Sequence, residues 1–446
     1  MVEQRAGLAE SVIGSLIRSL WAWRVELALA GATLLARSFL ASRVGSGLAS
    51  ATVILAWVTT LVVPATRRLV IRCLRRARVR RQWSRAVRVA PVPVLAERGT
   101  RIVQVREVPA GHCLVVAMPP GARVDDLARS SEPIAAMLAA RDVKVTREAA
   151  NARLASVVIV RRDPLSGTLA LSWPHADAER LSLWEPIPIG VGEDGLDRNI
   201  SLPERNVLLG GEPGAGKSAA LSLLVATAAL DPEVKLWLFD GKLVELATWA
   251  GCAEHSVGVS VSEAIDVLRQ LQVEMEHRYF SLLASRRRKV TPGDGNALQV
   301  VVCDELAHYL SAPDRKERSE FAELMRDLVS RGRAAGIIVV AATQKPSGDV
   351  IPTSLRDLFG FRWAMRCSTP QASDTILGQG WASAGYSAAE IDASCRGVGY
   401  LLHEGGQPVR LRAHYLDDDT LLALASRAEL VRRGPATEPG RAEVGS

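Results

Sequence analysis

Apolar and polar positions follow three regimes along this chain. The first is an unbroken apolar run. Residues 44–66, "VGSGLASATVILAWVTTLVVPAT", carry no charge over 23 positions, which predicts a membrane-spanning helix, since about 20 apolar residues cross a hydrocarbon core. An earlier stretch, residues 23–41, is interrupted by Glu26 and Arg37. It reads as a first span that closes a hairpin, with an interfacial amphipathic helix as the alternative. The second regime is short alternation: "RIVQVREVP", "HCLVVAMPPG" and "ASVVIVRRD" flank a helix-like stretch, "VDDLARSSEPIAAMLAARDVKV", and predict a small α+β unit. The third is a series of short apolar runs, "NVLLG", "VKLWLFD", "LQVVVCD", "GIIVVAATQ", "FRWAMR" and "GVGYLLH", separated by helical periodicity. Strands buried on both faces and alternating with helices predict a parallel, doubly wound α/β sheet.

These regimes set the expected organisation: a cytoplasmic N-terminus (1–21), a transmembrane region (22–66, second span 44–66), a basic juxtamembrane linker (67–95), a small α+β domain (96–180), a doubly wound α/β domain (181–416) and a partly disordered tail (417–446). Charge sharpens the picture. The formal net charge is +7, yet ten arginines and no acid lie between Arg67 and Arg88, so the basic character is one local cluster. Positive residues flanking a span stay in the cytoplasm. The cluster therefore orients the chain at the cell membrane, with everything beyond Arg67 in the cytoplasm and with anionic lipid as a second contact. Six cysteines without a CxxC pair read as thiols of a reducing compartment rather than a metal or disulfide framework.

The chemistry sits in the third regime. After "NVLLG" come Gly211, Glu212, Pro213, Gly214, Ala215, Gly216, Lys217 and Ser218, which fit GxxxxGK[ST] and lead into an apolar helical run. Strand, glycine loop and helix in that order cradle phosphates with backbone amides and a helix N-terminus. Lys217 is expected to bind the β- and γ-phosphates of ATP, and the Ser218 hydroxyl to ligate Mg²⁺. About 86 residues on, a wholly apolar strand ends in Asp304 and Glu305. Asp304 is expected to hold Mg²⁺ and Glu305 to orient the attacking water, an arrangement for hydrolysis rather than phosphotransfer. The next apolar strand ends in Thr343 and Gln344, and Gln344 is the expected γ-phosphate sensor.

The flanks narrow the class. "DGK..EL" after the second strand, "EM..RY" on a long helix, "GRAAGI", "ATQKP" and "SDTILGQG" stand in an order that resembles the FtsK/SpoIIIE family of double-stranded DNA translocases, over about residues 100–415. The resemblance implies a RecA-like P-loop motor assembled as a homo-hexameric ring around duplex DNA, with each nucleotide at a subunit seam and a cation donated by the neighbour. Arg331, Arg333, Arg362 and Arg366 are the candidates, with Arg366 preferred and Arg333 next. Charges at 286–289 within Ser285–Asn296 are either a pore loop touching DNA phosphates or a solvated loop. A short anchor with no room after residue 417 for a winged-helix module looks more like the conjugative Tra proteins of actinomycetes than a division translocase, and implies a separate partner for DNA recognition. Chromosome segregation and type VII-like protein secretion are the alternatives.

Overall fold

The computed structural model describes residues 23–148, 151–167, 170–344, 346–348 and 350–433, and the chain divides into two compact units between Asp163 and Pro164. The expectations for residues 1–21 and 434–446 lie outside the described residues.

The first unit opens with helices Arg24–Val44 and Ser46–Val62. Gly45, at φ 86°, breaks them apart, a conformation that costs glycine little. Arg37 Nε donates to Ser50 Oγ at 3.2 Å and Trp57 Nε1 to Thr33 Oγ1 at 3.2 Å, so the two helices run antiparallel. Leu34, Leu35, Phe39, Leu48, Ile54 and Leu55 are exposed, a surface that water would penalise. Residues Glu26–Val44 form the one described helix that alone is long and apolar enough to cross a membrane. The expected continuous helix over 44–66 is not seen. Val63 is extended, Pro64 opens a new helix, Pro64–Ala86, and the chain bends there by 89°. Proline lacks the amide needed to continue the first helix, and it pushes the residue before it out of the helical region.

Residues 67–95 are likewise not a free linker. On helix Pro64–Ala86, Ala77, Val79, Trp83 and Ala86 are buried in one core with the sheet that follows, and Trp83 Nε1 donates to Thr100 Oγ1 at 2.8 Å. The arginines occupy the other faces, the ordinary solution for an amphipathic helix. The sheet is antiparallel in the order β1-β2-β4-β3, with β1 Arg101–Val108, β2 Gly111–Ala117, β3 Asp142–Arg147 and β4 Leu154–Val160.

The second unit is built on a ten-stranded sheet in the order β6-β5-β14-β13-β12-β7-β11-β10-β8-β9. Its strands are β5 Ile187–Gly192, β6 Asp197–Ile200, β7 Val207–Gly210, β8 Val234–Asp240, β9 His255–Val257, β10 Leu298–Asp304, β11 Ile337–Thr343, β12 Phe361–Met365, β13 Val398–His403 and β14 Val409–Ala413. From β12 to β9 every pairing is parallel, and every residue of β7, β10 and β11 is buried. β13 departs from the expected parallel pattern and runs antiparallel to β12, with Met365 opposite Gly399. The connection carries an eight-residue α-helix, Pro370–Leu377, and one 3-10 turn, Ala388–Glu390. It stays at the carboxyl end of β12 instead of crossing the sheet, so the chain must return in the opposite sense.

Two boundaries also move. Residues 164–180 belong to the second unit and not to the small domain: Trp173 Nε1 donates to the Pro188 carbonyl at 2.9 Å, and Trp173 lies in the core of the ten-stranded sheet. The expected tail is in fact a helix, Asp418–Arg433, with Leu424, Ala425 and Ala428 buried at helical spacing. Arg432 on its last turn donates to four carbonyls: Ala229 at 2.8 Å, Ala228 at 2.8 Å, Val234 at 2.9 Å and Asp231 at 3.1 Å. This guanidinium caps the carboxyl end of helix Lys217–Ala229, where a cation complements the helix dipole. We expect Arg432→Met to lower unfolding free energy by about 2 kcal/mol or more, because it strips the charge-assisted bonds from buried carbonyls. Denaturant titration checks this; an unchanged midpoint would contradict the capping role.

Candidate nucleotide site

The parallel part of the sheet delivers its chemistry at the carboxyl ends of β7, β8, β10, β11 and β12. Asn206 fixes their alignment: its side chain donates to the Val329 carbonyl and accepts from the Val339 amide, each at 2.8 Å. Beyond β7 the glycine loop is seated on the neighbouring strand ends. Gly211 N donates to the Thr343 carbonyl at 3.3 Å and Glu212 N to the Arg366 carbonyl at 3.0 Å. Two glycines are required here. Gly214 and Gly216 adopt φ 75° and 105°, and a Cβ on Gly216 would sit 2.5 Å from the Gly397 backbone. The loop therefore closes against the start of β13, and the first turn of helix Lys217–Ala229 begins directly after it with unpaired amides.

Lys217 and Asp304 form an ion pair with both side chains buried. Asp304 Oδ2 is buried without a hydrogen-bond partner among the described residues. Ser218 Oγ donates to Glu245 Oε1 at 2.7 Å. An orphaned carboxylate oxygen and a hydroxyl beside a glutamate are hard oxygen donors that suit Mg²⁺. Ser218 and Asp304 thus fit the metal expected there, and the glycine cradle fits the phosphates of a nucleotide.

Glu305 follows β10 in a left-handed conformation, φ 56° and ψ 59°, which costs a non-glycine residue about 1 kcal/mol. The strained turn sends its carboxylate toward β11. Oε1 accepts from the Thr343 hydroxyl and the Gln344 amide, both at 3.1 Å, while Oε2 lies 2.8 Å from Lys242 Nζ. Burial pushes its pKa up, but Lys242, the Gln344 amide and Thr343 outweigh burial and hold the carboxyl below its ordinary value. The group is therefore ionised, as a water-orienting acceptor must be. Gln344 stands beside it and contributes this backbone amide.

Sequence reasoning passed over two of these neighbours. Lys242 and Glu245 lie on the turn after β8, which Asp240 organises: its carboxylate accepts from the amides of Lys242 at 3.1 Å, Leu243 at 2.9 Å and Leu246 at 2.9 Å. The signal was present in "DGKLVEL", a charged turn at the carboxyl end of a buried strand.

The four arginines separate. Arg366 follows β12 and its guanidinium lies 2.9 Å from Glu212 Oε2 of the same chain's glycine loop. Arg333 sits at the opposite end of the sheet, donating to the Glu204 carbonyl at 2.6 Å and to Glu404 at 2.8 Å. Arg331 pairs with Asp327 at 3.1 Å, and Arg362 with Asp357 at 3.2 Å. Of the four, the structure brings only Arg366 to the site. In the charged loop before β10, Arg287 pairs with Asp294 at 2.5 Å and Lys289 pairs with Glu204. Arg286 and Arg288 remain exposed.

Residues 177–373 match the FtsK/SpoIIIE family. DNA translocase FtsK of Streptococcus agalactiae is 27% identical over 323 residues, covering 67% of this chain and 38% of its own length. DNA translocase FtsK of Staphylococcus aureus is 26% identical over 306 residues, 63% and 38% respectively. The chain thus spans about 38% of the length of these curated relatives. Among solved structures, the pCW3 conjugation coupling protein TcpA, a monomer form with ATPγS, superposes with a TM-score of 0.51 at 18% identity, over 78% of this chain and 98% of that one. ATPases 2 and 3 of EssC from Geobacillus thermodenitrificans give 0.50 at 15% identity, over 59% and 52%. Both likenesses are of fold.

Proposed function

We propose, from the match of residues 177–373 to the FtsK/SpoIIIE family, a membrane-anchored motor that hydrolyses ATP to move double-stranded DNA, in conjugation rather than in chromosome segregation. The observation that carries the reading is the convergence of Lys217, Ser218, Asp304, Glu305 and Thr343 on adjacent strand ends. This constellation serves nucleotide hydrolysis, and in this family the motor acts on duplex DNA. Lys217 and the amides of residues 211–218 hold the phosphates, Ser218 and Asp304 hold Mg²⁺, and Glu305 takes the proton of the attacking water. When bound, the metal supplies charge neutralisation on the phosphate oxygens. Gln344, next to Glu305, reads the γ-phosphate.

Arg366, held against its own loop, serves the nucleotide of its own subunit. The neighbour's cation then comes from another arginine in a homo-hexamer, with Arg333 first. Conjugation draws its support from the TcpA-like fold over most of the chain. Glu26–Val44, the antiparallel helix after it and the arginine cluster support placement at the cell membrane, with the ATPase domain in the cytoplasm.

The test is steady-state ATPase of the full chain in detergent, alone, with linear duplex DNA and with unstructured peptide. Duplex is expected to raise turnover about tenfold, with a stimulation that falls steeply as salt rises because it depends on phosphate contacts. Stimulation by peptide and not by duplex would replace this reading with protein secretion.

A further inference from the structure

The arginine cluster does more than flank a span. One face of helix Pro64–Ala86, carrying Arg75, Arg78 and Gln82, faces the turn between β1 and β2 and the residues after β4 across a cleft of about 560 Å³. The other wall supplies His112, Arg161 and Arg162. Arg161 bridges the walls, donating to Gln82 Oε1 at 3.2 Å and to the Leu138 carbonyl at 3.4 Å. The backbone behind it is tightly set: the amides of Arg161 and Arg162 both donate to the Ala110 carbonyl, at 2.8 and 3.2 Å. A Cβ on Gly111 would collide with the Ile159 carbonyl at 2.3 Å, so the turn keeps its place only with glycine there. Against four guanidiniums the cleft offers one carboxylate, Glu107. Arg75, Arg78 and Arg162 form no ion pair among the described residues. His112 Nδ1 is buried without a hydrogen-bond partner among them. Burial, then Arg161 and Arg75 against the opposing Glu107, hold the His112 imidazole below its ordinary pKa. Uncompensated guanidiniums converging on a donor-rich cleft are the composition of a phosphate site.

We propose that this cleft binds the phosphate of an anionic phospholipid headgroup, and that the bound lipid clamps the juxtamembrane helix to the small sheet. Position favours lipid over nucleic acid. The 89° bend at Pro64 lays helix Pro64–Ala86 along the membrane plane when helix Ser46–Val62 stands across it, which keeps Arg75 and Arg78 at headgroup depth. The cleft's volume suits one headgroup rather than a duplex groove. The inference rests on the membrane placement proposed above, not on DNA transport.

The experiment uses the full chain in uncharged detergent micelles, titrated with dihexanoyl-phosphatidylglycerol, dihexanoyl-phosphatidylcholine, inorganic phosphate and a duplex of about 20 base pairs. Saturable binding of the phosphatidylglycerol is expected, with phosphatidylcholine and phosphate each at least about tenfold weaker. Arg161→Gln/Arg162→Gln should weaken it about tenfold or more. Arg67→Gln/Arg68→Gln removes the same charge from helix Pro64–Ala86 outside the cleft, and should change it less than about twofold. Arg75→Gln/Arg78→Gln is the second cleft variant, used if the first melts earlier by circular dichroism. Equal losses in cleft and control variants overturn the site in favour of diffuse charge. Phosphate binding as tightly as the lipid overturns the lipid assignment. Displacement of the lipid by duplex through the same arginines overturns it in favour of nucleic acid. Duplex-stimulated ATPase, run in parallel, keeps failure of the translocase reading separate from all of these.

Discussion

Lys217→Met should abolish ATP turnover and destabilise the nucleotide-free motor, while Lys217→Met/Asp304→Asn should recover most of that stability and remain inactive. The two side chains are 3% and 0% exposed and form an ion pair. Removing the ammonium alone leaves a carboxylate in a site that water does not reach. Breaking a buried pair from one side costs about 3–5 kcal/mol, whereas removing both charges is often close to neutral. Asp304 Oδ2 already lacks a partner, so the cost falls at the upper end of that range. Turnover behaves differently, because the charge that would meet the phosphates is absent in both variants. Denaturant midpoints of the wild type, both single variants and the double, measured without nucleotide beside ATPase rates, make up the cycle. If the single variant unfolds at the wild-type midpoint, Asp304 is not confined as the structure places it. If the double variant stays as unstable as Lys217→Met, the loss comes from packing rather than charge.

Those two residues were legible in the sequence because their signals are local. Gly214 and Gly216 occupy backbone angles that glycine tolerates best, so the loop's conformation is written in its composition. Asp304 ends a run whose every residue is buried. What the sequence concealed depends on partners distant along the chain. Lys242 matters because a turn capped by Asp240 aims it at a residue 63 positions later. The reversal of β13 follows from a connection that does not cross the sheet, and an apolar run such as "GVGYLLH" is the same in either direction. The helix at Asp418–Arg433 is missed when the acidic and small residues around it are read as solvated chain. Its buried face is narrow, Leu424, Ala425 and Ala428, and its main anchor is Arg432, a charged residue whose four carbonyl partners lie about 200 positions earlier. Arg366 follows β12 and Arg333 precedes β11, and because both strands run parallel to β7 the two arginines lie at opposite ends of the sheet.

Glu305→Gln is expected to bind ATP with near-normal affinity and to lower kcat by about 10²–10⁴, the range for loss of a positioned general base. The sharper expectation concerns Lys242, whose ammonium approaches Glu305 Oε2 while Thr343 and the Gln344 amide hold Oε1. With both oxygens engaged, the carboxylate has one orientation. Lys242→Met frees Oε2 and leaves the two hydrogen bonds to Oε1 and the strained turn at Glu305 as the restraints. Turnover should then fall by about 10–10² with ATP affinity unchanged, a positioning effect. Because Lys242 acts through Glu305, the double variant Lys242→Met/Glu305→Gln should be no slower than Glu305→Gln alone. Residues that work as one unit give such non-additive losses, whereas independent contributions would multiply. Nucleotide affinity by equilibrium titration and kcat for the four proteins decide the matter. A multiplicative loss in the double variant would mean that Lys242 touches the nucleotide itself, and the turn after β8 would then be part of the phosphate cradle and not a support for the base.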